Sequence, residues 1–85
     1  MPTVKLYANL RKIAGTKELS ITGSTLGAVL SELVKQSPAL DDVIMENGKI
    51  RPHFVITVNG HNAIELDVSV GEQDIVAIFP PIAGG

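Results

Sequence analysis

Five consecutive apolar residues, Ile75-Val76-Ala77-Ile78-Phe79, run directly into Pro80-Pro81. The run is far too short to span a bilayer, which takes about 20 residues. β-Branched and aromatic side chains dominate it, so it predicts a strand. Because both faces are apolar, that strand belongs at the centre of a sheet. The two prolines lack the N–H that would continue a ladder, so pairing stops at Phe79 and the chain leaves in an extended form. A central strand needs a neighbour on either side and a cover over at least one face. In a chain of 85 residues, the length of a single domain, few segments can supply them.

Thr3 to Ala8 alternates, with Val4, Leu6 and Ala8 on one face and Thr3, Lys5 and Tyr7 on the other. This is the period-two pattern of a half-buried strand. Glu18 to Thr22 alternates again with Leu19 and Ile21 inward, and the short connection makes the two strands antiparallel. Between them, Leu10 and Ile13 stand three apart before Gly15, which fits a compact loop or a single helical turn under the sheet edge. At Ser24-Thr25, either of which can cap a helix, the period changes. Leu26, Val29, Leu30, Leu33 and Val34 form one helical stripe, and Ser37-Pro38 ends it. Gly27 costs about 1 kcal/mol there relative to alanine, and a close contact is the expected reason for it.

Ala39 to Met45 reads as a short helix or turn closed by Asn47-Gly48, and Lys49 to Pro52 as a polar connector. Phe54 to Val58 is the next strand, ended by the turn dipeptide Asn59-Gly60, with Ala63 to Leu66 read as pairing back onto it. Asp67 to Gln73 reads as a loop hinged at Gly71 and held by Val68 and Val70. If the first and last strands are neighbours at the centre, every segment finds a partner and one helix covers the sheet. The expectation is therefore an α+β chain of β-grasp (ubiquitin-like) type. It has a mixed sheet of four to five strands under one main helix over residues 1–79, and a flexible C-terminal tail over 80–85.

Composition narrows the function. With 45% hydrophobic residues the chain is too apolar to be disordered. It opens Met-Pro-Thr-Val-Lys, with no basic region followed by an apolar block, so no secretory signal is read and a cytoplasmic location is expected. It has no cysteine, which excludes disulfides, thiolate metal sites and cysteine nucleophiles. Seven basic residues against nine acidic ones give a net charge of −2, and Arg11-Lys12 is the only adjacent basic pair. Neither nucleic acid nor a membrane surface is an expected partner. His53 and His61 have no evident third ligand, so no metal site is assigned. Asp41-Asp42 with Glu46 reads as a solvated helix start, and no nucleophile elbow of the Gly-x-Ser-x-Gly kind occurs. Catalysis by this chain alone has no support.

The remaining candidate is the tail, Pro80-Pro81-Ile82-Ala83-Gly84-Gly85, which loses side-chain bulk toward its end. Six extended residues reach about 20 Å, enough to enter a pocket on another protein. Gly84 and Gly85 have no Cβ and can thread a narrow channel. The working group is read as the terminal carboxylate of Gly85. Beside the tail, the last strand directs Val76 and Ile78 to the core and Ala77 and Phe79 to the open face. Two arrangements are open for Phe79: ordinary core, or an exposed apolar docking surface with Ala77.

These residues resemble a known group. Tyr7-Ala8-Asn9-Leu10-Arg11-Lys12-Ile13-Ala14-Gly15, the helix opening Ser24-Thr25-Leu26, the strand end Val58-Asn59-Gly60 and above all Phe79-Pro80-Pro81-Ile82-Ala83-Gly84-Gly85 are similar to the ubiquitin-like sulfur carriers of the MoaD/ThiS family. The likeness runs close to chain-long. One departure is Val70-Gly71-Glu72-Gln73-Asp74-Ile75-Val76, where the family commonly has Asp-Gly-Asp-Glu-Val.

The resemblance implies a β-grasp fold and a carrier that is not itself an enzyme. A ubiquitin-activating-like adenylyltransferase would use ATP with magnesium to adenylate Gly85, and a persulfide donor would then convert it to a thiocarboxylate. No cofactor would be bound permanently. The length and the Phe-Pro-Pro ending favour the small subunit of molybdopterin synthase, working with a large catalytic subunit, over the thiazole-forming carrier. The alternatives are a sulfur carrier for cysteine synthesis or tRNA thiolation, a ubiquitin-like protein modifier, and a plain β-grasp binding module.

Overall fold

The two ends of the described chain meet at the middle of the sheet. The structure is a computed structural model that describes residues 1–81. In chain order its elements are β1 (Thr3–Leu6), α1 (Leu10–Ala14), β2 (Glu18–Ser20), α2 (Leu26–Gln36), a 3₁₀ turn (Pro38–Leu40) running into α3 (Asp41–Ile44), β3 (Met45–Glu46), β4 (Lys49–Ile50), β5 (Val55–Val58), β6 (His61–Asn62) and β7 (Ile75–Phe79). The main sheet has the order β2-β1-β7-β5-β6. β1 and β7 are parallel in the register Thr3↔Ile75 to Leu6↔Ile78, and the other pairs are antiparallel. β7 therefore has a partner on each side, as its two apolar faces require. This is the β-grasp arrangement.

Alternation decides which side chains go in. Val4 and Leu6 of β1, Ile56 of β5, and Val76 and Ile78 of β7 are almost wholly buried against Leu26, Val29, Leu30 and Leu33 of α2. Val34, the outermost member of the helical stripe, is half-buried. Thr25 caps α2, its Oγ1 accepting from the Ala28 N–H at 3.1 Å, and Ser37 closes it before Pro38. The exposed N–H groups of the first helical turn are met by the incoming loop: Leu26 N–H donates to the Val68 carbonyl and Gly27 N–H to the Leu66 carbonyl. A Cβ at Gly27 would lie 3.1 Å from Leu66 Cβ and 3.2 Å from Leu66 O. The helix breaker in the sequence is thus a contact point, and the Asp67–Gln73 segment is anchored there. Leu10 of α1 is buried and Ile13 half-buried, so a single helical turn fills the sheet edge.

Three local readings change. Asn47-Gly48 does not merely close a turn; with φ of 54° and 77° it joins β3 and β4 as a separate two-stranded hairpin, Met45↔Ile50 and Glu46↔Lys49. The strand that returns onto β5 is His61–Asn62, paired Thr57↔Asn62 and Val58↔His61, and Ala63 N–H adds a bond to Ile56 O. Past Ala63 the expected pairing fails, and Ile64 is 81% exposed. Gly71, read as a hinge, is pinned: its N–H donates to Asp74 Oδ2 at 2.7 Å and its carbonyl accepts from Asp74 N–H.

Candidate functional site

β7 places its side chains by parity. Val76 and Ile78 are fully buried under the helix, while Ile75, Ala77 and Phe79 face the other way. On that open face the register sets Tyr7 beside Phe79 on one side and Val55 opposite Phe79 on the other. The Tyr7 and Phe79 rings stack with centroids 4.5 Å apart and planes inclined by 15°, a geometry worth roughly 0.5–1.5 kcal/mol beyond the area it buries. The stack forms one wall of a groove of about 860 Å³, which continues over Val55, Pro80 and Pro81. Phe79 and Pro80 are half-buried and Pro81 is exposed. Phe79 is thus on the open face, at its apolar centre. Ala77 shares that face but is only 8% exposed, because its small side chain sits between Lys5 and Thr57 in register.

The groove opens where the sheet ends. The β1 ladder ends at Leu6, level with Ile78, before Ala8 turns the chain at φ 54°, and β5 begins level with Phe79, shortly after His53 at φ 70°. Both are left-handed conformations that a non-glycine residue adopts at some cost. Pro80 and Pro81 therefore leave with no strand alongside and no N–H to offer one. Ile82, Ala83, Gly84 and Gly85, the rest of the expected tail, lie outside the described residues. In the sequence Tyr7 reads as outward, Ala8 as inward and His53 only as a candidate metal ligand; none of these, nor Val55, is tied to the tail there. Ala8 is exposed instead, because the strand ends at Leu6 and the chain turns there. Tyr7 carried a usable signal, an aromatic residue at an outward position of an alternating strand.

The opposite end of β7 is built differently. Asn59 Oδ1 accepts from Ile75 N–H at 2.9 Å, Asn59 Nδ2 donates to Asp74 Oδ1 at 2.8 Å, and Thr3 N–H donates to the Asp74 carbonyl. The Gly71 N–H, and after it the Asn59 amide, hold the Asp74 carboxyl below the usual carboxylate range; partial desolvation opposes them weakly. This clamp occupies the segment where the sequence departs from the family pattern, and Asp74 supplies its acid. Among the described residues no group of three or more His, Cys, Asp or Glu side chains is placed to hold a metal ion, and no helix is long and apolar enough to cross a membrane.

Residues 4–85 match the family model described as ThiS family. The chain belongs to the ThiS family. Members of this ThiS/MoaD group are ubiquitin-like sulfur carriers rather than catalysts. Among curated relatives, Small archaeal modifier protein 3 of Haloferax volcanii is 30% identical, over 96% of this chain and 96% of its own length. The molybdopterin synthase sulfur carrier subunit of Arabidopsis thaliana is 33% identical, over 96% of this chain and 80% of its own. Among solved structures, the crystal structure of CysO from Mycobacterium tuberculosis superposes with a TM-score of 0.86 at 29% identity, covering 96% of this chain and all of that one.

Proposed function

We propose that this chain carries sulfur as a thiocarboxylate on Gly85 and delivers it in molybdopterin synthesis as the small subunit of the synthase. The observation that carries the reading is the release of the chain at Phe79. Both flanking strands stop there, two prolines follow, and an apolar groove lies beside the exit.

An α-carboxyl with a reference pKa of about 3.3–3.7 is ionised at neutral pH, so it can attack the α-phosphorus of ATP but resists attack itself. Pyrophosphate leaves and an acyl-adenylate forms, in the active site of an adenylyltransferase that also supplies the magnesium. The terminal sulfur of a donor persulfide then attacks the acyl carbon and expels AMP. A second donor thiolate cleaves the resulting S–S bond, becoming a disulfide and leaving the thiocarboxylate on Gly85. Each step needs a backbone thin enough to lie against a nucleotide, which glycine at positions 84 and 85 provides. The chain binds and presents; its partners do the chemistry. Pro80 to Gly84 enter the partner, and the groove around Phe79 is where the partner seats; Ala77, on the same face but buried, lies outside its lining.

A second reading has an observation of its own, the similarity to Small archaeal modifier protein 3 over nearly the whole chain. In that reading the activated Gly85 acylates a lysine of another protein. Similarity to CysO keeps other sulfur acceptors, such as a cysteine precursor, as further outcomes.

Intact-mass measurement after incubation with ATP, the activating enzyme and a persulfide donor tests the common step. The expected result is the mass gain of one oxygen replaced by sulfur. An unaltered carboxylate throughout would sink the carrier reading. Adding a molybdopterin synthase large subunit and a pterin precursor should then yield a dithiolene, whereas lysines carrying a Gly85 remnant in cell extracts would establish the modifier. Deleting Gly84-Gly85 should abolish activation while leaving the circular dichroism and melting curve unchanged.

A further inference from the structure

The fold gathers the cations of one segment onto one surface. Of the seven cationic side chains, Lys5, Arg11, Lys12 and Lys17 all belong to the segment β1-α1-β2, which holds a single carboxylate, Glu18. The antiparallel ladder pairs Lys5 with Glu18, and Leu6 N–H donates to the Lys17 carbonyl, which brings the start of β2 back to the end of β1. Lys5, Arg11, Lys17 and Glu18 thereby surround one shallow depression of about 200 Å³, together with Tyr7. Among the described residues the only ion pair within 4 Å is Arg51–Glu46, so Lys5, Arg11 and Lys17 line the depression with Glu18 as its one carboxylate and with no close ion pair. Tyr7 is also a wall of the apolar groove. The depression and the groove are therefore one continuous surface, basic at one end and apolar at the other. The rest of the chain holds eight of the nine acidic residues, so a chain of net negative charge is positive where its tail leaves.

From this juxtaposition we infer that the protein partner seated on the groove presents carboxylates beside its apolar anchor, and that Arg11, Lys17 and Lys5 meet them and steer the encounter. Apolar contact at Tyr7, Phe79 and Val55 holds the complex, and the basic end sets how fast and in which orientation it forms. Charges at the rim of an interface act on association rate and salt dependence more than on the lifetime of the complex. A focused field of one sign raises association rates by roughly 10 to 1,000-fold at low salt. The inference rests on the carrier reading, because the partner is the enzyme that activates Gly85.

The test uses the full chain and its activating enzyme, with adenylation followed as ATP–pyrophosphate exchange between low and high salt. The double variant R11E/K17E changes two exposed residues and should melt as the wild type does. Its KM for the carrier should rise about tenfold or more at low salt with kcat unchanged, and its salt dependence should flatten or reverse. K35E/K49E makes the same change in net charge at exposed positions outside the cluster and should keep the wild-type KM and salt slope. Wild-type KM and salt slope in R11E/K17E would overturn the inference, as would an equal loss in K35E/K49E, which would assign the effect to net charge. Failure of the wild-type chain to be adenylated at all would be a different result. It would remove the carrier reading and this inference with it.

Discussion

The two ends of β7 solve opposite problems. At its start, Asp74 and Ile75 are tied by hydrogen bonds to Gly71, Asn59 and Thr3, so three strands are locked in one register. At its end, Phe79 is held by a ring stack and a cross-strand neighbour, and among the described residues no ladder pairing continues past it. A one-residue slip would turn Phe79 toward the core and Ile78 toward solvent. The polar clamp therefore fixes the register, and the apolar end makes use of it. Rigidity at one end is what allows a strand to end abruptly at the other and still aim its exit.

Replacing Ile78 by alanine should strike both ends at once, because this fully buried residue lies in the core beneath the strand. A loss of about 2–5 kcal/mol is expected in urea denaturation; a loss below 1 kcal/mol would mean that β7 does not organise the core. Phe79→Ala should be milder in stability, about 2 kcal/mol, since the ring is half-buried and part of its worth is the stack on Tyr7. It should raise the carrier's KM in adenylation, and Phe79→Leu should recover most of the fold but less of the KM. Asn59→Ala should cost about 1 kcal/mol through its lost hydrogen bonds and leave adenylation kinetics unchanged in the folded protein. If instead Asn59→Ala raised KM as Phe79→Ala does, the division between an anchoring end and a presenting end would collapse.

The smallest effect is confined to acid. Asp74 has a lowered folded pKa, so its contribution is complete above the unfolded value of about 3.9 and is lost as pH falls through the folded one. Urea midpoints at neutral pH and near pH 3 should show an acid-induced drop that is reduced in Asp74→Asn. An identical drop in both proteins would show that other carboxylates carry it.

What could be read from the sequence follows the length of each signal. Thr3 to Tyr7 and Leu26 to Val34 repeat their periods long enough to fix a face, and Ile75 to Phe79 is apolar enough to fix a position in the sheet; the alternation carried no sign that the strand ends at Leu6 and leaves Ala8 exposed. Asn47-Gly48 carried a hairpin signal, but its two-residue arms offer no alternation to read. His61–Asn62 is polar throughout and pairs through its backbone at the sheet's edge, so the neighbouring apolar Ala63 to Leu66 carries the stronger strand pattern. The Tyr7–Phe79 wall and the Lys5, Arg11 and Lys17 cluster were not legible locally. Their members stand at distant or non-adjacent positions and meet only through the β1–β7 and β1–β2 ladders. The tail was legible as composition, and its Ile82 to Gly85 portion lies beyond the described residues.

The parallel pairing of β1 with β7 also bears on how such a chain comes into being. Synthesis proceeds from the N-terminus, and β1 with β2 alone is a marginal pair that waits for its central neighbour. Until β7 has been made, β1 and β5 have nothing between them and the helix has only part of a floor. A nascent or prematurely terminated chain thus has no folded domain to offer its partners. The same strand that closes the sheet releases the tail, so completion of the fold and presentation of its working end are a single event.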